Sequence, residues 1–222
     1  METISVKNSY DDEILRILRD KRYANIPFID RGLVSIDNIP TSSLLFMGIN
    51  PSFTGGASPN ELHYYNLVPG NNDYKKYFGR FEEIANHTGL PWGHLDLLYF
   101  RETDQNKIEE IMEIPEGISF TWQQLEVSKK ILESVKPKIL IVCNTKARQF
   151  LGKDKSGGNN IWLGYDFKWD KGIGTYRVTN TDSVLCNTPV FFSGMLTGQR
   201  ALDVGSYERL NWHIKWVLEN KF

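Results

Sequence analysis

The chain is poor in the residues that carry the commonest catalytic chemistries. Its 222 residues include two cysteines, Cys143 and Cys186, and four histidines. Two thiols build no disulfide framework and are too few for a four-cysteine iron–sulfur cluster. His63, His87, His94 and His213 show no metal-ligand spacing. A Gly-x-x-x-x-Gly-Lys phosphate loop and a Gly-x-Ser-x-Gly elbow are both missing. Gly172-Ile173-Gly174 lacks the third glycine and following helix of a dinucleotide fingerprint. Net charge is close to nil, at −1, and so says nothing about partners. No apolar run reaches the length of a membrane span, and Met1-Glu2-Thr3-Ile4-Ser5 lacks the charged and apolar regions of a secretory leader. These absences lead us to expect no cofactor, no metal and no membrane partner, in a reducing, cytoplasmic setting.

What is present describes an ordinary globular chain rich in rings, with 41% hydrophobic and 13% aromatic residues. Its length suits one large domain, taken here as residues 1–222, with 1–40 as an N-terminal helical extension. Ser9-Tyr10-Asp11-Asp12 reads as a helix start. Helices are also expected from about Asp73 to His87, Thr121 to Val135, after the Asn144-Thr145 cap, and from Tyr207 to Asn220. Strands are expected at Leu44–Gly48, His94–Phe100, Lys138–Cys143 and Pro189–Phe192, with a hairpin over Ile161–Trp169 and Thr175–Thr179. This alternation predicts a three-layer α/β/α domain around a mainly parallel sheet. Basic residues run from Lys129 through Lys138, Lys146 and Arg148 to Lys155, opposed only by Glu133 and Asp154, while an acidic tract runs from Glu102 to Glu116. That asymmetry either steers an anion or marks a solvated face.

The strongest signal is Leu44-Leu45-Phe46-Met47-Gly48-Ile49-Asn50-Pro51-Ser52. An apolar run bounded by turn formers is the mark of a buried strand in a parallel sheet. Pro51 keeps Asn50 extended, so a neutral amide is held at the strand's carboxyl end, where open α/β sheets bind ligands. A long loop follows, roughly from Ser52 to Asn72. A second small-residue loop, Ser193-Gly194-Met195-Leu196, opens from the last strand. Two such loops with an aromatic-rich loop between them point to a pocket.

These two segments resemble the uracil-DNA glycosylase superfamily, and within it the mismatch-specific uracil/thymine glycosylase branch. The first motif of that branch reads Gly-Ile-Asn-Pro-Gly, against Gly48-Ile49-Asn50-Pro51-Ser52 here. The second motif has a His or Asn before Pro-Ser and wedge residues; its positional counterpart is Phe192-Ser193-Gly194-Met195-Leu196, without the His or Asn. The order of elements is similar from about Leu44 onward. The resemblance implies hydrolysis of the N-glycosidic bond of a deaminated or mismatched, uracil-type base in DNA, reached by base flipping.

It also implies roles. Asn50 would position the attacking water, and Gly48, Ile49, Pro51 and Ser52 would line the substrate, with the Ile49 and Ser52 amides donating to a base carbonyl. Tyr65 is the favoured stacking ring, and Ser193 and Gly194 complete the pocket. Asn144 reads the base edge or simply caps a helix. Met195 and Leu196 form a duplex wedge or a buried turn, and Arg200 and Lys146 contact phosphates. The expected partner is DNA and the chain is taken as a monomer. Two alternatives stay open: a catalytically inactive protein of the same fold that binds nucleic acid or a protein partner, and a pocket enzyme acting on a free nucleoside or another small N-glycoside.

Overall fold

The computed structural model describes residues 2–67, 72–153, 162–198 and 200–221. In chain order the elements are β1 (Thr3–Ser5), α1 (Val6–Leu18), β2 (Leu33–Ile36), β3 (Asn38–Pro40), β4 (Leu44–Gly48), β5 (Leu62–Tyr65), α2 (Asn72–Thr88) and β6 (Trp92–Asp96). Then follow α3 (Gln105–Ile111), α4 (Pro115–Val135), β7 (Ile139–Val142), α5 (Thr145–Leu151), β8 (Phe167–Asp170), β9 (Thr175–Val178), β10 (Pro189–Phe192) and α6 (Val204–Lys221). Six strands form one sheet in the order β6-β4-β7-β10-β9-β8. The first four are parallel, and the β8–β9 hairpin closes the far edge antiparallel. Two small ribbons, β1–β3 and β2–β5, stand beside it.

Burial explains why the apolar runs became central strands. All four apolar residues of β4 and all four of β7 are within 1% of fully buried. Because successive side chains alternate between faces, each strand feeds two cores. Leu45 and Met47 join Leu140 and Val142 in one cluster, with residues of α1, α4 and α5. Leu44 and Phe46 join Ile139 and Ile141 in the other, with Phe81, Ile84, Ile214 and Val217 of α2 and α6. The sheet is thus covered on both faces, which a continuous hydrophobic strand requires. Burying one such aliphatic side chain contributes on the order of 1.5–3 kcal/mol.

The chain leaves β4 through α2 to reach β6 on one side, then returns through α3 and α4 to β7 on the other. Right-handed crossovers in opposite directions put α2 and α4 on opposite faces. The strand order therefore reverses between β4 and β7, and a crevice opens at their carboxyl ends.

Several elements differ from the sequence reading. Helix α1 begins at Val6, capped by Ser5, whose hydroxyl accepts from the Asn8 amide, rather than at Ser9. Residues 1–40 are no mere helical extension: they carry three strands, and Val6, Ile14, Tyr23, Phe28, Leu33 and Ile39 lie in the main core. The strand expected to Phe100 ends at Asp96; the Leu97 and Leu98 amides still donate to the Gly48 and Ile49 carbonyls, and Gln124 of α4 takes the Tyr99 and Phe100 amides beyond them. Helix α4 starts at Pro115, suited to a first helical turn, six residues before the expected Thr121. The short α3 was not anticipated. Ile161, Asp154 and Lys155, and positions 68–71 of the long loop, lie outside the described residues. Among those described, no helix is long and apolar enough to cross a membrane.

Gln124 is fully buried; its Oε1 accepts from the Tyr99 amide at 2.8 Å and the Phe100 amide at 3.3 Å, and its Nε2 donates to the Phe120 carbonyl at 3.1 Å. Each buried group left unpaired costs about 1–3 kcal/mol. Gln124→Met, which keeps the volume and removes both functions, should lower unfolding free energy by about 2–4 kcal/mol in urea titration; an unchanged midpoint would contradict this packing.

Candidate active site at the carboxyl ends of the parallel strands

A cavity of about 370 Å³ occupies the crevice between β4 and β7. The ends of β4, β6 and β7, α2, the Glu102–Asn106 segment and the loop after β10 all contribute to it. Segments far apart in sequence therefore meet: Gly48, Ile49, Asn50 and Ser52 face the same space as Asn144, Met195, Leu196, Thr197 and Arg200. A second cavity of about 260 Å³ adjoins it, sharing Asn50, Ser52, Tyr77, His94 and Asp96 as walls and adding Val34, Pro51, Tyr65 and Phe78.

Asn50 is half-buried, and its carboxamide is used in a definite sense. Nδ2 donates to the carbonyls of Glu102 at 2.7 Å, Pro51 at 3.0 Å and Phe100 at 3.4 Å. The amino group is spent on holding the β4 and β6 ends together. Only Oδ1, an acceptor, remains without a partner among the described residues. Asn144 is committed in the opposite sense: its Oδ1 accepts from the amides of Lys146 at 2.8 Å and Ala147 at 3.3 Å, capping α5. The cap is made, and what Asn144 has left for a ligand is its amino group.

The group the sequence reading missed is Asp96. It pairs in register with Gly48, and its carboxyl lies where a Gly48 side chain would be; a Cβ there would overlap Oδ1. A side chain at Gly48 would therefore have to displace the carboxylate of the neighbouring strand. Asp96 is 12% exposed, and its nearest basic group is His94 Nε2 at 3.9 Å. Burial disfavours ionisation of both: it lifts the Asp96 pKa to about 7 and depresses that of His94 to about 4. His94 Nδ1 shares a 2.9 Å hydrogen bond with the Tyr65 hydroxyl, and the Phe78, Phe81 and Tyr77 rings stand edge-on around the imidazole. The signal was available in His94-Leu95-Asp96, where two polar residues share one face of an apolar strand.

Glu102 behaves differently although it is only 7% exposed. Burial would raise its pKa, but the Asp104 amide, the Arg31 guanidinium and the Thr103 amide outweigh it and hold the pKa below normal. It is an ionised strut that shapes the cavity wall. Cys143 also lines the cavity, yet burial, aided by the Asp96 charge, pushes its thiol upward, which is the reverse of what a nucleophile needs.

Other expected site residues are placed as follows. Ser193 and Gly194 do not line the cavity; the Ser193 amide continues the sheet by donating to Val142, and its buried hydroxyl has no partner among the described residues. The loop reaches the cavity through Met195, Thr197 and Arg200, pinned by Arg80, which donates to the Leu196 and Leu202 carbonyls at 3.0 Å each. Leu196 is 1% exposed and sits in the α2–α6 core, so the buried-turn reading holds for it and no duplex wedge can use its side chain. Lys146 donates to the Gln105 carbonyl and pairs with Glu109, joining the basic and acidic tracts instead of presenting a free cation. Arg200 is exposed at the rim and has no partner among the described residues. Tyr65 is bound to His94 and lines only the second cavity, whereas Tyr77, 41% exposed, lines both. Pro51 likewise belongs to the second cavity. Among the described residues no group of three His, Cys, Asp or Glu side chains is arranged to hold a metal ion.

Comparison of the chain with protein-family models, curated proteins and solved structures finds no match.

The His94–Asp96 pair makes a pH prediction. Asp96 has a raised native pKa, so its contribution to stability is present below about pH 4 and lost as pH rises through about 7. His94 has a depressed one, so its contribution is present above 6.5 and lost as pH falls through about 4. Between these limits the two slopes, each at most about 1.4 kcal/mol per pH unit, oppose one another. Asp96→Asn leaves His94 alone, and its stability should drop more steeply than wild type as pH falls from 6.5 to 4, measured by denaturant titration at each pH. Parallel curves would refute the neutral pair.

Proposed function

We propose that this chain is an N-glycosyl hydrolase that releases a nucleobase, with a deaminated or mismatched, uracil-type base in DNA as its substrate. In this reading it is a cytoplasmic monomer of uracil-DNA glycosylase-like fold. The observation that carries the reading is the convergence of the Gly48–Ser52 segment, Asp96, Asn144 and the Met195–Arg200 segment on one cavity at the strand-order reversal.

The chemistry follows from the committed polarity of each group. Water attacks C1′ as the C1′–N bond breaks, and the bonding pair leaves with the base. Asn50 Oδ1 can accept a hydrogen bond from that water and so orient it, but an amide cannot take its proton. Asp96 can, once ionised. Its burial makes it a stronger base than a solvated carboxylate and sets its working range near neutrality. The Asn144 amino group is the side-chain donor available to the departing anion, which supplies part of what the absent second-motif His or Asn would. Tyr77 and Phe81 offer rings for stacking. Arg200 at the rim suits a phosphate, and Met195 is the one wedge candidate whose side chain is not buried.

A second reading, hydrolysis of a free nucleoside or another small N-glycoside, is favoured by two observations. Lys146 is neutralised by Glu109, and Leu196 cannot enter a duplex, so little on this face addresses DNA.

Uracil-, mismatch- and deaminated-base oligonucleotides, beside the corresponding nucleosides, test both. Wild type should release free base with kcat/KM rising as pH climbs through about 7, since the carboxylate form of Asp96 is the active one. Asp96→Asn should lose about 10²–10⁴-fold and the pH limb with it. Asn50→Ala should lose activity and stability together, because it also cuts the clamp on Pro51, Phe100 and Glu102. Absence of base release from every substrate would end the proposal.

A further inference from the structure

Away from the candidate site, the antiparallel edge of the sheet carries a surface that the hydrolase reading does not use. Side chains alternate across strands, so Phe167 and Trp169 of β8, Tyr176 and Val178 of β9, and Val190 and Phe192 of β10 share one face. Phe167, Val178 and Val190 are buried in the main core, and the other three rings continue outward from it. The Phe192 and Tyr176 centroids lie 5.2 Å apart, and those of Tyr176 and Trp169 also 5.2 Å, each pair edge-to-face. Trp169, at the outer end, is 50% exposed. A contiguous series of rings that ends in water marks an interaction surface more than a stray apolar residue does.

The charge beside these rings has one sign. Every position on this face of the three strands is apolar or aromatic, and the one acid of these strands, Asp170, faces the other way and pairs with Arg177. Arg148 of α5 holds its guanidinium 5.8 Å from the Phe192 centroid. Lys153, just beyond that helix, holds its ammonium 5.6 Å from the Tyr176 centroid. Arg148 is half-buried, yet its guanidinium has no hydrogen-bond or ion-pair partner among the described residues. Attraction to a ring face offsets only part of the hydration such a cation gives up. What the position lacks is an anion.

Rings flanked by cations and free of acids fit a ligand whose flat faces are joined by negative charges. A duplex hides its base faces inside its own stack, so the bases must be unpaired. We propose that the Trp169–Tyr176–Phe192 strip binds single-stranded nucleic acid, with a base stacked on the Trp169 indole and phosphates running past Lys153 and Arg148. The strip leads toward the candidate site. Phe192 is followed three residues on by Met195, and Arg148 lies one helical turn after Asn144; Met195 and Asn144 both line the larger cavity. This inference goes beyond the N-glycosyl hydrolase reading and does not depend on it.

The test is a fluorescently labelled oligothymidylate of about 12 nucleotides, within the span of a single-strand-binding module. It is titrated against the full chain by anisotropy, beside a duplex of equal length and the neutral oligosaccharide cellohexaose. The single strand should bind, and more tightly than the duplex at equal salt. Trp169→Ala should weaken it about tenfold or more, and Trp169→Phe, which keeps a ring, should recover most of the loss. Arg148→Gln and Lys153→Gln should each flatten the slope of log affinity against log salt by about 0.7, the share of one phosphate on a single strand. The strip is overturned if the single strand does not bind, if the duplex binds as tightly, or if a folded Trp169→Ala binds as wild type does. Cellohexaose binding that Trp169→Ala removes and salt leaves unchanged would overturn it in favour of a carbohydrate platform. Should Trp169→Ala fail to fold, the Lys153→Gln salt slope and the duplex comparison decide. Single-strand binding that needs Trp169, without base release from any substrate, would sink the hydrolase reading and leave the strip standing. Base release by a chain whose single-strand affinity ignores Trp169 would do the opposite.

Discussion

The amino group of Asn50 is the constraint on which the site depends. It gathers the carbonyls of Phe100 and Glu102, backbone groups beyond the end of the β4–β6 ladder, together with that of Pro51, which also accepts from the Glu102 amide. Gln124 does the reciprocal work, accepting from the amides of Tyr99 and Phe100. Between them, two side-chain carboxamides satisfy a stretch of irregular backbone that would be forbidden in a core without such partners. The result is a rigid junction between neighbouring strand ends. Pro51 contributes by removing one donor that would have needed a partner and by keeping Asn50 extended.

This junction gives the cavity its electrical character. Three carboxyl groups stand around it, and each is handled differently. Glu102 is surrounded by donors and stays ionised; Asp104 caps α3; Asp96 has only an imidazole nearby and is held near neutrality by burial. Groups of one type pushed apart by their surroundings are the usual arrangement where one must exchange a proton and another must not. The neutral His94, hydrogen-bonded to Tyr65 and enclosed by rings, stands beside Asp96 without contributing a charge.

Much of the fold was legible because it follows from local rules. The continuous apolar runs at Leu44 and Ile139 and the Asn144 cap each carry their own signal and lie within a residue or two of their expected bounds, whereas the hairpin's first strand starts at Phe167 instead of the expected Ile161. What failed depended on partners distant in sequence. His94–Phe100 reads as one strand, but it ends at Asp96, and the Tyr99 and Phe100 amides turn to Gln124 on another element. Leu196 looks like a wedge until α2 and α6 are seen to cover it, and Lys146 looks like a free cation until α3 brings Glu109 to it. At the site, the Asn50 motif announced itself through its proline. Asp96 did not, since its meaning comes from register against Gly48, which a single strand cannot display.

That register has a consequence for how the chain can vary over evolutionary time. Position 48 has no room for a methyl group because the neighbouring strand has already filled it with an acid. The two positions are consequently not free to drift separately: a descendant that acquires a side chain at 48 must shorten or swing away the one at 96. Sequence divergence should therefore pass through this pair jointly, and a glycine retained there would mark lineages that have kept the acid.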